Sequence, residues 1–246
     1  DPNCIFHQLH VHLDKFPNWK MADIALIGVC EERGCVYNMG LERSANEIRK
    51  KLYKLKKGPH SYKVVDLGNL RNGLKLEDTY ERVREVCEIL LQNNVIPLLI
   101  GGSHDIDYGQ YVAYEKFEKF ISVVNIDAIL DVESDVTVGQ NKHHSHRILM
   151  HEPNYLFNFS NIGYQSFLND QEMLAILEKL NFENHRIGHA KGKIDEMEPV
   201  IRNADMVSFD ITAVRMSDAP GNPNVTPFGF TGEEACQLAW YSGLNN

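Results

Sequence analysis

Residues 121–131 constrain the fold more than any other stretch of this chain. Ile121 to Ile126 form a short run rich in β-branched apolar residues, which is typical of a parallel strand covered by helices on both faces. Two carboxylates, Asp127 and Asp131, follow that run. Because parallel strands need long crossover connections, usually helices, a strand of this kind predicts an α/β fold.

Strand and helix patterns alternate along the rest of the chain. Strands are predicted at 22–29, 62–67, 95–100, 121–126, 155–162 and 182–187, with Gly68 closing the second, and residues 206–212 are predicted as a further strand that passes into a loop. Helices are predicted at 42–57, 76–93, 106–119, 170–180, 194–203 and from 231 onwards. This alternation, with no repeat and no low-complexity linker, predicts one α/β domain with a mainly parallel, doubly wound sheet of at least six strands.

Side chains that can bind metal ions follow three of these strands. They are His104 after the third strand, Asp127 and Asp131 after the fourth, and Asp210 near the end of the chain. If extended geometry continues past Ile126, residues 127, 129 and 131 point the same way. Ligands bind at the carboxyl ends of parallel strands, and one His with three Asp suits Mn²⁺ or Mg²⁺. A structural alternative remains open, in which these side chains cap helices, satisfy loops or are solvated.

Composition and charge argue against several classes of function. The chain has 246 residues and a formal net charge of −9, and its basic run at 49–57 is predicted as the solvated face of a helix, not a nucleic-acid patch. Its five Cys residues form no CxxC pair, which predicts reduced thiols in a cytoplasmic protein. No apolar stretch is long enough to span a membrane, and no G-x-G-x-x-G motif of a dinucleotide-binding oxidoreductase follows a strand. We therefore expect a small-molecule ligand, with neither nucleic acid nor a membrane as partner.

Motifs at these strand ends resemble those of the ureohydrolase family, which comprises arginases, agmatinases and formimidoylglutamases. Residues 101–105, Gly-Gly-Ser-His-Asp, are similar to the family's GGDHS motif, and residues 126–131 are similar to its IDAHxD motif. Residues 208–212 with 218–221 resemble SFDxDxxDPxxAPG, and residues 159–165 resemble the formimidoylglutamase branch. The resemblance covers nearly the whole chain. It implies an arginase-like fold, with three layers (αβα) around a mainly parallel, doubly wound sheet.

The resemblance also implies a metal site. The family binds two Mn²⁺ ions, and its ligands for the first ion correspond here to His104, Asp127, Asp131 and Asp210. The second ion needs a His and an Asp at the positions that Ile129 and Thr212 occupy, and Ser103 stands where the GGDHS motif has Asp. An Ile side chain offers no lone pair to a cation. We therefore expect one Mn²⁺ ion at most, and weak binding or none without added metal.

A histidine on the loop after the IDAHxD-like motif is the proton shuttle implied by the resemblance. His144 is the residue expected there, with Asp131 as the second catalytic residue. His143 and His146 are alternatives, and a solvated loop that holds all three histidines is the structural alternative. The loop at 215–230, rich in Pro and Gly, is expected to line the substrate pocket.

Two functions remain open from the sequence. In the first, the protein is a metal-dependent hydrolase of linear amidines, closest to formimidoylglutamase, which releases formamide and glutamate. In the second, it is a catalytically impaired or inactive relative with a ligand-binding or structural role. The intact first set of ligands favours the first function, whereas Ile129 and Thr212 favour the second.

The resemblance carries expectations about assembly and extent as well. The family commonly forms trimers or hexamers, so we expect a homo-oligomer. Relatives continue beyond the segment that matches this chain with another strand and a final helix. We therefore expect residues 1–246 to be a single ureohydrolase-like domain that lacks those two elements.

Overall fold

The computed structural model describes residues 1–13, 15–36, 40–59, 62–133, 139–222, 224 and 226–244. The chain forms two compact units, Asp1–Lys116 with Val138–Asn141 and Phe117–Thr137 with Lys142–Asn246. Each unit contains a four-stranded sheet, and every strand pair in both sheets is parallel. The strands have the predicted parallel orientation, and within the described part of the chain they form two four-stranded sheets, whereas the sequence predicted one sheet of at least six strands.

The sheet of the first unit has the strand order β1-β3-β2-β4. Its strands are β1 (His10–Val11), β2 (Ile24–Val29), β3 (Val64–Leu70) and β4 (Ile96–Ile100). The helices of this unit are α1 (Ser44–Leu52), α2 (Leu76–Gln92) and α3 (Asp107–Val112).

Helices α1 and α2 cover opposite faces of β2. Ile27 and Leu90 of α2 belong to one buried apolar cluster. Gly28 points to the other face, because side chains alternate along a strand. A Cβ atom at Gly28 would lie only 3.0 Å from Ala45 Cβ of α1, so glycine permits this close approach. The first unit therefore has the two-sided coverage that the buried strand patterns predict.

The sheet of the second unit has the strand order β7-β6-β5-β8. Its strands are β5 (Ile121–Ile126), β6 (Leu156–Tyr164), β7 (Glu183–Arg186) and β8 (Met206–Phe209). Its helices are α4 (His144–Leu149), α5 (Gln171–Lys179), α6 (Ile187–Gly192), α7 (Met197–Arg202) and α8 (Gly232–Ser242). The capping pair predicted for the last helix is present, since Glu234 N donates to Thr231 Oγ1 (3.1 Å) and Thr231 N donates to Glu234 Oε2 (2.7 Å).

The core of the second unit lies mainly between its sheet and the helices near the end of the chain. Five side chains that are almost fully buried there come from β5, β6, α7 and α8: Ile126, Ile162, Met197, Ile201 and Leu238. Phe159 points to the other face of the sheet and contacts the ring of Phe182 edge to face, with 6.3 Å between centroids. Both faces of β6 are therefore covered by protein.

Several predicted boundaries are wrong because of contacts made elsewhere in the chain. The second predicted strand continues through Gly68, which has a φ of 82° beside an irregularity in the β2–β3 pairing, and it ends at Leu70. Helix α1 stops at Leu52 and not at residue 57, because Leu55 and Lys57 hydrogen-bond to the N-terminal segment. The helix predicted at 106–119 divides into α3 and a 3-10 helix at Ala113–Phe117.

Two short helices were also missed. Helices α4 and α6 have only six residues each, too few for a periodic apolar pattern to stand out. The transition from strand to loop predicted within 206–212 follows Phe209, the last residue of β8, and the loop contains a 3-10 helix at Ile211–Ala213. Among the described residues, no helix combines the length and the apolar character needed to cross a membrane.

Candidate functional site

Two carboxylates lie side by side where paired strands of the second unit end. The last residues of β5 and β8, Ile126 and Phe209, are register partners. Asp127 and Asp210 follow them, and Asp210 N donates a hydrogen bond to Ile126 O (2.9 Å). One carboxylate oxygen of Asp127 and one of Asp210 lie within 4.8 Å of each other. Oxygens at about 2.0–2.6 Å from a shared divalent ion can have such a separation, so this pair fits a hard cation.

Thr212 connects the two carboxylates. Its hydroxyl donates to Asp127 Oδ1 (2.5 Å), and its backbone N–H donates to Asp210 Oδ1 (2.7 Å). Asp210 thereby caps the 3-10 helix Ile211–Ala213, which is the structural role that the sequence left open for such a residue. Thr212 and Asp127 are only 7% and 3% exposed. Their hydrogen bond is therefore charge-assisted and largely shielded from water, the setting in which such bonds are strong.

The chain bends directly after Asp127, so the predicted alternation of residues 127, 129 and 131 is wrong. Ile129 N donates to Asp127 Oδ1 (3.0 Å), which closes a turn of the kind that Asp side chains favour. Asp131 then has a φ of 51°, in the left-handed region that Asp tolerates better than most residues. Both carboxylates are nevertheless buried, at 3% and 5% exposure. The alternative in which one of these two Asp residues is solvated is therefore wrong.

His144 lies beside Asp131. It is the first residue of α4 and is fully buried. Its Nδ1 lies 3.8 Å from Asp131 Oδ2, and its Nε2 lies 3.3 Å from Ser145 Oγ. A carboxylate next to one ring nitrogen orients the imidazole and helps to set which nitrogen carries the proton. The structure thus brings together the two residues that the sequence analysis predicted as catalytic.

The neighbouring histidines are packed as well. His143 Nδ1 contacts the carbonyl oxygen of Glu133. The rings of His143 and His146 stack with 4.9 Å between their centroids. Burial, followed by the charge of His143, lowers the pKa of His146. His143 is 8% exposed and His144 is fully buried, so the alternative of a solvated histidine loop is wrong for these two residues.

In the first unit, His104 begins a 3-10 helix, His104–Ile106, directly after β4. Gly101 and Gly102 turn the chain there with φ values of 82° and 79°, which glycine adopts without steric cost. His104 Nε2 lies 3.7 Å from Asp107 Oδ2. The sequence analysis missed Asp107, although a spacing of three residues on a helical segment indicates such a contact.

The residues on either side of His104 have packing roles in the first unit. Ser103 is 5% exposed, and its N–H donates to Glu31 O (2.9 Å). Asp105 is fully buried and accepts a hydrogen bond from the Tyr80 hydroxyl (2.5 Å). Burial raises the pKa of Asp105, against the opposing effect of hydrogen bonds from Ser103 and Tyr80.

The side chain of Asn169, which the sequence analysis missed, holds the segment between Asp127 and Asp131, and the side chain of Gln165 holds a loop further along the chain. Leu130 N donates to Asn169 Oδ1 (2.7 Å), and Gln165 Nε2 donates to Phe228 O (2.9 Å) in the loop predicted to line the pocket. Asn169 is far from Leu130 in sequence, and no spacing signals the contact. In the loop after the IDAHxD-like motif, residues 134–138 lie outside the described residues, as do residues 223 and 225 in the loop predicted at 215–230.

Known proteins match most of the length of this chain. A model of the arginase family matches residues 22–241 of the chain. The formimidoylglutamase of Bacillus subtilis (strain 168) is 25% identical over an alignment of length 253. The alignment covers 93% of this chain and 78% of that protein.

Solved structures are similar over nearly the whole chain. The crystal structure of the Bacillus subtilis formimidoylglutamase has a TM-score of 0.83 at 22% identity and covers 98% of this chain and 80% of its own. A Trypanosoma cruzi formiminoglutamase crystallised with Mn²⁺ has a TM-score of 0.84 at 20% identity and covers 94% and 83%. Likeness at this level of identity concerns the fold, and it confirms the predicted arginase-like α/β fold.

Proposed function

The chain belongs to the arginase family, and we propose on that basis that it is a hydrolase of linear amidines, closest in substrate to the formimidoylglutamases. Membership of the family confirms the resemblance inferred from the motifs. In the proposed reaction, water adds to the formimino carbon of formimidoylglutamate and the bond from that carbon to the glutamate nitrogen breaks. The nitrogen takes up a proton, and formamide and glutamate leave.

The proposed reaction depends on one divalent ion, Mn²⁺, held by carboxylates of the second unit. Asp127 and Asp210 support this, because their oxygens are close enough to share an ion. Asp131 is the third proposed ligand and is buried at the end of the same loop as Asp127. The family motif adds His104 as a further ligand, an assignment that rests on the motif. Such an ion supplies Lewis acidity that activates water and polarises the substrate.

The hydrogen bond from Thr212 to Asp127 is the observation that supports one ion rather than two. A carboxylate that bridges two ions through separate oxygens needs both of those oxygens free to bind. Here Asp127 Oδ1 already accepts the Thr212 hydroxyl (2.5 Å) and the Ile129 N–H (3.0 Å). A second ion at Oδ1 would have to displace the Thr212 hydroxyl. Neither Ile129 nor Thr212 offers a carboxylate or an imidazole to compensate the hydration that this second ion would lose.

His144 and Asp131 are proposed to handle the proton that the leaving nitrogen requires. Asp131 Oδ2 lies 3.8 Å from His144 Nδ1 and can stabilise the imidazole when it is protonated. Ser145 Oγ, 3.3 Å from His144 Nε2, provides a second polar contact along the path of that proton. The burial of His144 keeps this pair away from bulk water, so proton transfer involves groups within the site.

The alternative function is that of a catalytically impaired relative that binds a ligand or has a structural role. Ile129 and Thr212, at the two positions where the family supplies ligands to a second ion, favour it. The two functions differ in a measurable property, which is turnover in the presence of saturating Mn²⁺.

Calorimetry with Mn²⁺ and an assay of formamide release test the proposal together. We expect one Mn²⁺ site in the wild-type protein and Mn²⁺-dependent hydrolysis of formimidoylglutamate, with agmatine and arginine as comparison substrates. The double variant Ile129→His with Thr212→Asp restores both family ligands and should show two sites. Two tight sites in the wild type would contradict the single ion, and one site without turnover of any of the three substrates would favour the impaired relative.

We further propose that the protein acts as a homo-oligomer in the cytoplasm on a small amidine or guanidino compound, without nucleic acid or membrane as a partner. The net charge of −9 supports the absence of a nucleic-acid partner. The five cysteines without a CxxC pair support the cytoplasm, and the resemblance to the family supports the oligomer. Light scattering should give a mass that is a multiple of the 28.1 kDa of one chain. A mass of one chain at high protein concentration would contradict the oligomer.

A further inference from the structure

We propose that Asn169 is a positioning residue for the metal-binding carboxylates, because its side chain fixes the bend between Asp127 and Asp131. This inference rests on the proposed function in one respect, namely that these carboxylates hold the ion. The bend leaves β5 after Ile126, and Asp131 at its far end adopts a left-handed φ of 51°. A turn with such a residue keeps one geometry only when its neighbours restrain it.

The amide of Asn169 restrains that bend with both of its polar atoms. Leu130 N donates to Asn169 Oδ1 (2.7 Å), and Asn169 Nδ2 donates to Ala128 O (3.0 Å). The same Nδ2 also donates to Gln165 O (2.8 Å). Asn169 therefore binds the backbone on both sides of Ile129, between the two carboxylates. An amide is suited to this role because it offers a donor and an acceptor on one short, planar group.

Gln165 extends the restraint to β6 and to the loop predicted to line the pocket. Its backbone N–H donates to Ala128 O (2.9 Å), so Ala128 O accepts from Gln165 and from Asn169. Its side chain is fully buried, and Nε2 donates to Phe228 O (2.9 Å) and to Thr226 Oγ1 (3.2 Å). The bend between Asp127 and Asp131 is therefore held at the end of β6 by the Asn169 side chain and the Gln165 backbone. The Gln165 side chain in turn binds residues 226–228.

This arrangement orients ligands without contacting the ion. Residues that hold metal ligands in place commonly change metal affinity by about 10- to 100-fold when they are removed. Asn169→Ala removes three hydrogen bonds to the bend and its neighbour, and it leaves every proposed ligand in the chain. We therefore expect the dissociation constant for Mn²⁺ to rise by about tenfold or more.

Asn184→Ala is the matched control. Asn184 lies in β7 of the same unit, accepts from Asn161 Nδ2 (2.9 Å) and donates to Phe182 O (3.3 Å). Its replacement removes bonds of the same kind without touching the bend. We expect the dissociation constant of the control variant for Mn²⁺ to stay within about twofold of the wild-type value. This should hold even if its midpoint of unfolding falls as far as that of Asn169→Ala.

Two measurements on the full chain test the inference: calorimetric titration with Mn²⁺ alone, and amide hydrogen exchange without metal. In Asn169→Ala, the Leu130 amide should exchange about tenfold faster or more, and in Asn184→Ala it should not. Should Asn169→Ala fail to fold, Asn169→Ser takes its place with the same expectations.

Unchanged exchange at Leu130, or an equal loss of Mn²⁺ affinity in both Asn variants, would overturn the positioning role. A wild-type protein that binds no Mn²⁺ would instead contradict the proposed function, and the exchange at Leu130 would then decide the role of Asn169 by itself.

Discussion

Replacing Thr212 by valine removes one hydroxyl from the candidate site and keeps the branched shape of the side chain. The hydroxyl donates to Asp127 Oδ1 at 2.5 Å, and the two residues are only 7% and 3% exposed. A hydrogen bond to a charged group contributes about 1.5–3 kcal/mol, and its loss here leaves a buried carboxylate oxygen with one donor fewer. We expect Thr212→Val to lower the free energy of unfolding by that amount in urea titrations followed by circular dichroism.

Mn²⁺ separates a role at the ion site from a role in stability. Without the Thr212 hydroxyl, a cation no longer competes with that donor for Asp127 Oδ1. We therefore expect Mn²⁺ to stabilise the variant more than it stabilises the wild type. If the dissociation constant falls tenfold, saturating Mn²⁺ adds about 1.4 kcal/mol more to the unfolding free energy of the variant.

Thr79→Val provides the control for this experiment. Thr79 is 1% exposed, and its hydroxyl donates to the buried carboxylate of Glu31 (2.8 Å) in the first unit. This variant should also lose stability, with no change in the stabilisation by Mn²⁺. A Thr212→Val protein within about 0.5 kcal/mol of the wild type, or one whose response to Mn²⁺ equals that of Thr79→Val, would refute the reasoning.

Three further predictions concern other parts of the structure. Arg49 donates two hydrogen bonds to the buried carboxylate of Asp66 (2.7 and 2.9 Å). Arg49→Met should therefore lower the free energy of unfolding in urea titrations by about 3–5 kcal/mol, and a decrease of less than about 1 kcal/mol would contradict this prediction. The backbone N–H at the start of α8 donates to Asp218 and holds the pKa of that carboxyl at about 2, below its ordinary value of 3.8. The stabilisation by this carboxylate is fully present above pH 3.8 and is lost as the pH falls through about 2, so the difference in melting temperature between the wild type and Asp218→Asn should vanish over that range. Burial raises the pKa of the Cys87 thiol to about 12, so a thiol reagent at pH 8 should modify the exposed Cys236 quickly and Cys87 only after denaturation, as peptide mapping would show.

Much of the fold could be predicted because its signals are local. The apolar run 121–126 indicates a buried strand wherever it occurs, since burial on both faces removes the need for polar positions. The stripe of Val83, Cys87 and Leu90 in α2 likewise follows from helical period alone. Short elements such as α4 and α6 were missed because six residues carry too little periodic signal.

The residue types of the candidate site could also be read from the chain, but its arrangement could not. The motifs identify Asp127, Asp131 and Asp210 as candidate ligands, and they identify Ile129 and Thr212 as departures from the family pattern. Extended geometry was the natural expectation after β5. A bend replaced it after Asp127, because the Asp127 side chain closes a local turn with Ile129 N and because Asn169, which is distant in sequence, also holds that turn. The contact with Asn169 has no local signal in the sequence.

The sequence by itself therefore determined the α/β class, most strand and helix positions and the membership of a family. Those properties depend on neighbours along the chain and on short motifs. Only the tertiary structure decided that Thr212 donates to Asp127, that His144 is buried beside Asp131, and that Asn169 holds the bend. Each of these contacts joins residues far apart in sequence. Their geometry follows from how strands and loops pack, which a one-dimensional pattern does not specify.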